Sequence, residues 1–300
     1  MRTAFIQHLI EHARTNPRLF LVVGDLGYSV VEPFAAEFPD RFLNAGVAEQ
    51  NMTGVAAGLA AEGYHVFTYS IANFPTLRCL EQIRNDICYH GFPVTIVSVG
   101  AGLAYGNLGF SHHGIQDIAT LRCMPNITIA SPADPEETRG CLAYLIANPG
   151  PSYLRLGKAG EPQLHRVPID GLRPLNLIDG KAALAIVGTG AIVATALEAA
   201  RQLRECGLDC SVFSVPFLAP SNGDAFNALW QMPNIITVEE HVAAGGLGSL
   251  IKENAPHGVR VRSLCVNESL FSAVGSQKTL WEANGLTADA LVLQARQLLQ

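Results

Sequence analysis

Three consecutive stretches set the fold: LFLVVGD at Leu19–Asp25, NAGVAEQNMTGVAAGLAAEG at Asn44–Gly63, and HVFTY at His65–Tyr69. Leu19 to Val23 is an unbroken apolar run, as expected of a strand covered on both faces, and it stops at Gly24-Asp25. Asn44 to Gly63 is rich in Ala and Gly. It reads as a helix whose small side chains let it approach a neighbour closely. His65 to Tyr69 is a second strand. Strand, helix, strand in this order predicts parallel pairing with a crossover helix.

Working outward, the same alternation continues. Phe5, Leu9 and Ile10 share one face of an opening helix. Leu77 to Tyr89 reads as a helix, Pro93 to Val99 as a strand, Asn126 to Ala130 as another. Pro135 to Ala147 is a helix with Pro135 in its first turn and Asp134 as its N-cap. Glu161 to Asp179 carries Pro162, Pro168, Pro174 and Gly171 and breaks the pattern, as a linker does. A second unit follows, with strands at Ala183–Val187, Cys210–Val215 and Asn234–Glu239 and a helix at Ala191–Glu205. The expected fold class is therefore α/β, with two domains, each a mostly parallel sheet flanked by helices. The boundaries are 1–165, a linker at 166–180, and 181–300.

Composition limits the function classes. Of 300 residues, 49% are hydrophobic and 15% charged, so the chain can bury large cores and has few charges to cover its surface. That balance predicts an oligomer. The 20 Lys and Arg are scattered and the net charge is −6, which excludes a phosphate-backbone binder, so no nucleic-acid partner is expected. No apolar run reaches the roughly 20 residues of a bilayer span. The seven cysteines are odd in number and lack CxxC spacing, which points to reduced thiols and a cytoplasmic protein. The first residues, MRTAFIQHLIEHART, do not read as a signal peptide.

Gly188-Thr189-Gly190 follows a strand but lacks the third glycine of a dinucleotide fingerprint, so it reads as a tight turn. Gly24-Asp25-Leu26 with Asn51 downstream only superficially matches a metal-diphosphate motif. Glu49 is different. It is a lone carboxylate in an apolar small-residue stretch, where ionisation without a partner is costly. Taken alone it could be an ordinary first-turn carboxylate favoured by the helix dipole. The paired His112-His113 in a Gly- and Ser-rich loop suggests either catalysis or metal binding. With no third ligand at a suitable spacing, catalysis is the better reading, and no metal ligand is assigned in this chain.

Several motifs together, AGVAEQNM (45–52), SHHGIQDIATLR (111–122), MPN (124–126), SPAD (131–134), GPSYLRLGK (150–158), VEEH (238–241) and GGLGS (245–249), resemble the transketolase family. The resemblance runs from Arg2 to near the C-terminus and covers the pyrimidine-binding (PYR) and C-terminal domains. It implies thiamine diphosphate as cofactor. Glu49 then matches the glutamate that bonds N1′ of the aminopyrimidine, and Phe74 the aromatic stacked on that ring. Ile71 and Leu77 stand where neighbouring family aromatics occur, and Asp25 falls among the cofactor contacts. His112 matches the histidine that faces the substrate oxygens, with His113 beside it. Arg2, Ser29 and Lys158 fall at phosphate-contacting positions. A further phosphate-contacting histidine corresponds to Gly100, and a hydroxyl-reading aspartate to Leu108. Arg155 is the candidate to compensate.

The family's diphosphate domain, with its magnesium ion, has no counterpart here, and the chain begins at Met1. The resemblance therefore implies the C-terminal subunit of a split transketolase, working with an N-terminal diphosphate-binding partner in an α2β2 assembly on sugar or sugar-phosphate substrates. Two related activities are the alternatives: a deoxyxylulose-phosphate synthase-like enzyme, or the beta component of a 2-oxo-acid dehydrogenase. A non-catalytic interaction subunit is the alternative of another class.

Overall fold

The computed structural model describes residues 1–181, 183–220 and 223–300. In chain order the first part comprises α1 (Arg2–Thr15), β1 (Leu19–Val23), α2 (Glu32–Glu37), β2 (Phe42–Asn44), α3 (Glu49–Ala61) and β3 (His65–Ile71). It continues with α4 (Leu80–Gln82), β4 (Val94–Val99), α5 (Asp117–Arg122), β5 (Thr128–Ala130), α6 (Pro135–Ala147) and β6 (Ser152–Leu156). The second part holds β7 (Leu175–Ile178), β8 (Ala185–Gly188), α7 (Val193–Glu205), β9 (Ser211–Ser214), β10 (Phe217–Ala219) and β11 (Asn234–Val242). It ends with α8 (Leu247–Asn254), β12 (Arg260–Val266), α9 (Gln277–Ala283) and α10 (Ala288–Leu299).

The strands form two sheets, ordered β10-β5-β6-β4-β3-β1-β2 and β12-β11-β8-β9-β7. All pairings are parallel except β10 on β5 and β7 on β9. The α/β class with two mostly parallel sheets is as expected. Two details of the sheets differ from the sequence reading. The expected linker at 166–180 contains a strand, β7, which closes the second sheet's edge. And β10, from the C-terminal half, joins the first sheet, so that sheet is built from both sides of the linker.

Strand alternation assigns the layers. Leu19, Leu21, Val23, Phe67, Tyr69, Val97 and Val99 face α1, α2 and α6. Val22, Val66, Val94 and Ile96 face α3, where Met52, Ala56, Ala57 and Ala60 form the contact. The same core continues into Ala185, Val187, Val215 and Ile251, so the two sheets share one apolar layer. The second sheet's other face packs on α7 and α10 through Ile186, Ile236, Ala199 and Leu291. Among the described residues no helix is long and apolar enough to cross a membrane.

A buried polar seam also joins the halves. Glu239 accepts from the backbone N–H groups of Leu247 (2.6 Å) and Gly248 (2.7 Å) at the start of α8. A Cβ on Gly246 would lie 2.1 Å from a Glu239 oxygen, and one on Gly245 (φ +72) 2.6 Å from Ala119. The VEEH and GGLGS motifs are thus two sides of one close contact. Glu240 accepts from the Leu103 N–H across the seam (3.0 Å), and Val242 N–H donates to the Ile115 carbonyl (3.0 Å).

Candidate active site

Of the residues singled out in the sequence, Asp25, Glu49, Ile71, Phe74, Leu77 and His112 follow or end β1 to β4 on the side of their carboxyl ends, where parallel sheets present ligand sites. Asn44, ending β2, fixes the first loops. Its side-chain oxygen accepts from Asp25 N–H (3.1 Å) and Gly46 N–H (2.9 Å), and its amide donates to Asp25 Oδ1 (2.9 Å). Asp25 is held at φ 52. The chain then enters α3 at Glu49, whose side chain is only 1% exposed. The residue before it, Ala48, offers no capping side chain, so the acidic first-turn residue itself meets the positive end of the helix. Its partner is Arg78, whose Nη1 donates to Glu49 Oε2 at 2.6 Å.

Phe74 follows β3 in a tight turn, its N–H donating to the Ile71 carbonyl (2.8 Å). The Arg78 guanidinium carbon stands 4.8 Å from the centre of the Phe74 ring. On its other side Phe74 meets His112 edge-on, with centroids 5.3 Å apart at 72°. Asn73 ties the two loops together, its amide donating to the carbonyls of Ser111 (3.2 Å) and His113 (2.7 Å). His112 Nδ1 is paired with Ser111 Oγ at 3.0 Å. Glu49, Arg78, Phe74 and His112 are therefore one continuous row. Ile71 and Leu77 are half-buried at its flank. Arg78 was missed in the sequence; its only signal was a cation four residues after the aromatic.

The remaining candidates divide. His113 is 1% exposed and packs edge-on against Phe110 (6.3 Å, 87°); burial lowers its pKa. Arg2 lies beside Tyr69, whose pKa burial raises. Lys158 is exposed and its Nζ stands 5.4 Å from the Tyr105 ring centre. Ser29 is exposed at φ 62, with its N–H bound to Glu32 Oε1 (2.8 Å). Leu108 is 52% exposed. Gly100 sits at φ +89, and a Cβ there would meet the Tyr105 ring at 2.2 Å. Tyr105 thus fills the space a larger side chain at position 100 would need.

Arg155 is a correction. Expected to reach substrate, it is 2% exposed and occupied in the interdomain seam. Its Nε donates to Asp117 Oδ2 (2.7 Å), and its Nη2 to the carbonyls of Gly114 (2.6 Å) and Glu240 (3.0 Å). Tyr153 also donates to Asp117 Oδ2 (2.6 Å). Burial alone would raise the Asp117 pKa; Arg155, His241 and the Tyr153 hydroxyl outweigh it and hold it below its usual value. A carboxylate this deep requires the cation, and β6 supplies it.

The first 161 residues match the family model described as transketolase, pyrimidine binding domain, and residues 176–291 match that of transketolase, C-terminal domain. The chain belongs to the transketolase family. An apulose-4-phosphate transketolase subunit of Actinobacillus succinogenes is 35% identical over 299 residues, covering 96% of this chain and 94% of that protein. A solved structure described as a split gene transketolase, inactive beta4 tetramer, superposes with a TM-score of 0.86 at 34% identity, covering 99% of this chain and 97% of that one. The 1-deoxy-D-xylulose-5-phosphate synthase of Desulfotalea psychrophila is 30% identical over 99% of this chain, which spans 48% of it. Transketolase-family proteins use thiamine diphosphate.

Proposed function

We propose that this chain is the pyrimidine-binding and C-terminal subunit of a two-chain, thiamine diphosphate-dependent transketolase, moving a two-carbon ketol unit from a ketose, or its phosphate, to an aldose. The observation that carries this reading is the row Glu49, Arg78, Phe74, His112. Arg78 also serves as a test of fit. Its planar guanidinium touches the Glu49 carboxylate and lies by the Phe74 ring at once, so a planar cation with an N–H edge suits the space between them. An aminopyrimidine protonated at N1′ has that shape and charge.

When bound, thiamine diphosphate supplies the nucleophilic carbon and electron sink that break and remake the carbon–carbon bond. This chain's residues do the rest. Glu49 would hold the N1′ proton, its buried carboxylate keeping the ring oriented and cationic. Phe74 would support the ring face. His112, half-exposed at the mouth, would bond the substrate oxygens and pass a proton as the bond breaks. Asp25 borders the cofactor side, and Ile71 and Leu77 complete an aliphatic wall. Arg2 and Lys158 would offer positive charge, and Ser29 its hydroxyl, to a phosphate, and His113 would lie beside His112 on the substrate side.

The diphosphate and its Mg2+ would be held by an N-terminal partner subunit in an α2β2 assembly. Tyr28 (75% exposed) and Val47 (76%), on the loops before α2 and α3, and Leu43 (39%) in β2 would give that partner an apolar surface. We place the assembly in the cytoplasm, in keeping with seven unpaired cysteines. The test is to reconstitute the chain with a diphosphate-binding partner, Mg2+ and cofactor, and to offer a ketose with an aldose, or pyruvate. Ketol transfer is expected. Pyruvate decarboxylation without ketol transfer would overturn the reading in favour of the related enzymes.

A further inference from the structure

We propose that Arg78 is an internal stand-in for the cofactor's aminopyrimidine, and that cofactor binding displaces it. The inference rests on the reading of Glu49 and Phe74 as the pyrimidine's contacts. A guanidinium is planar, cationic and edged with N–H donors. Arg78 uses all three properties here: one N–H on Glu49 Oε2 at 2.6 Å, the charge against a carboxylate 1% exposed, and the cation 4.8 Å from the Phe74 ring centre. Without a cation at this spot, the buried Glu49 carboxyl would have no charged partner.

The surroundings let the side chain leave while its backbone stays. Arg78 lies in a 3-10 turn, Leu77–Cys79. Gln50 Nε2 donates to its carbonyl (3.2 Å), and its own N–H donates to the Asn73 carbonyl (3.4 Å). The side chain itself is 48% exposed. It can therefore swing into solvent by rotation alone and leave the core packing undisturbed. The site has a closed state, in which Arg78 satisfies Glu49, and an open state that accepts the pyrimidine. The apparent affinity for cofactor is then the intrinsic affinity scaled by the open fraction.

The test is calorimetric titration of thiamine diphosphate into the reconstituted two-chain enzyme with Mg2+, beside stopped-flow measurement of its association rate. The pair carries wild-type chain, Arg78→Met, Arg78→Lys or Phe74→Ala. Arg78→Met should tighten binding about three- to tenfold and speed association, because a half-exposed ion pair holds the site closed by only that much. Arg78→Lys, which keeps the charge but not the plane, should fall between. Unchanged or weaker binding by Arg78→Met, with Phe74→Ala weakened, overturns the inference alone. Binding unaffected by Phe74→Ala overturns the reading of the site, and the inference with it.

Discussion

Glu49 has a meaning only through its neighbours. Its residue type and apolar surroundings were legible in the sequence; His112 was picked out by its motif, and Phe74 only by its position in the family resemblance. Arg78 and Tyr105 were not legible, since their roles arise where separate loops meet. Tyr105 can be tested by sterics. Gly100→Ala places a Cβ 2.2 Å from the Tyr105 ring, at a φ of +89 that L-residues avoid. It should cost about 1–3 kcal/mol in chemical denaturation, and Gly100→Ala with Tyr105→Ala should recover the packing part of that loss. Arg155 misled for a related reason: an arginine among apolar residues reads equally well as a ligand contact or as a buried counter-ion. Arg155→Met should cost about 3–5 kcal/mol, because it strands Asp117. Adding Asp117→Asn should return much of that stability.

Elements with strong local signals were read correctly: β1, β3, α6 and its cap. Asp134 accepts from Glu137 N–H at 2.8 Å, as the Asp-Pro start predicts, and also from Leu164 N–H at 2.7 Å. Asp134→Ala should therefore cost about 1–2 kcal/mol by thermal or denaturant unfolding, the upper part of the range for a cap. The expected helix at 44–63 starts only at Glu49. Asn44 is the end of an edge strand, three residues long and too short to show a period. The expected helix at 77–89 is a 3-10 turn, one α-turn and a π-turn (Ile83–Cys88), and a change of winding leaves the apolar residues in place. β10 and β12 pair through long-range contacts that no local pattern reveals. At the start of α8, burial pushes the Glu239 pKa up to about 7, against the pull of the Gly248 and Leu247 N–H groups. The folded chain then holds a proton that the unfolded chain has lost. Stability should fall as pH rises from about 4.5 to 7, by up to about 1.4 kcal/mol per unit, and level off above. A carboxyl carbon signal from Glu239 titrating near pH 4.5 by NMR would contradict this.

At the scale of the molecule, the two sheets share a core and a buried polar seam, while the candidate site opens outward at the strand ends. Clefts of about 490 and 640 Å3, beside Arg122 and between α7 and α9, lie away from it. Tyr28 and Val47, on the loops that carry Asp25 and Glu49, are exposed. The exposure of these side chains was not legible in the sequence, because exposed apolar residues carry no pattern of their own. On the proposed two-chain function the partner holds the diphosphate, so the isolated chain should bind thiamine diphosphate weakly by calorimetry, and tight binding to the lone chain would contradict a divided site. In the proposed function, Glu49 activates a cofactor held between two chains. The most direct test of this role is ketol transfer by the reconstituted pair, with cofactor and Mg2+, comparing wild type with Glu49→Ala. Activity is expected only when both chains are present, with a loss of at least about 100-fold in the variant, as when a proton-transferring group is removed. Transfer by Glu49→Ala at the wild-type rate would contradict it.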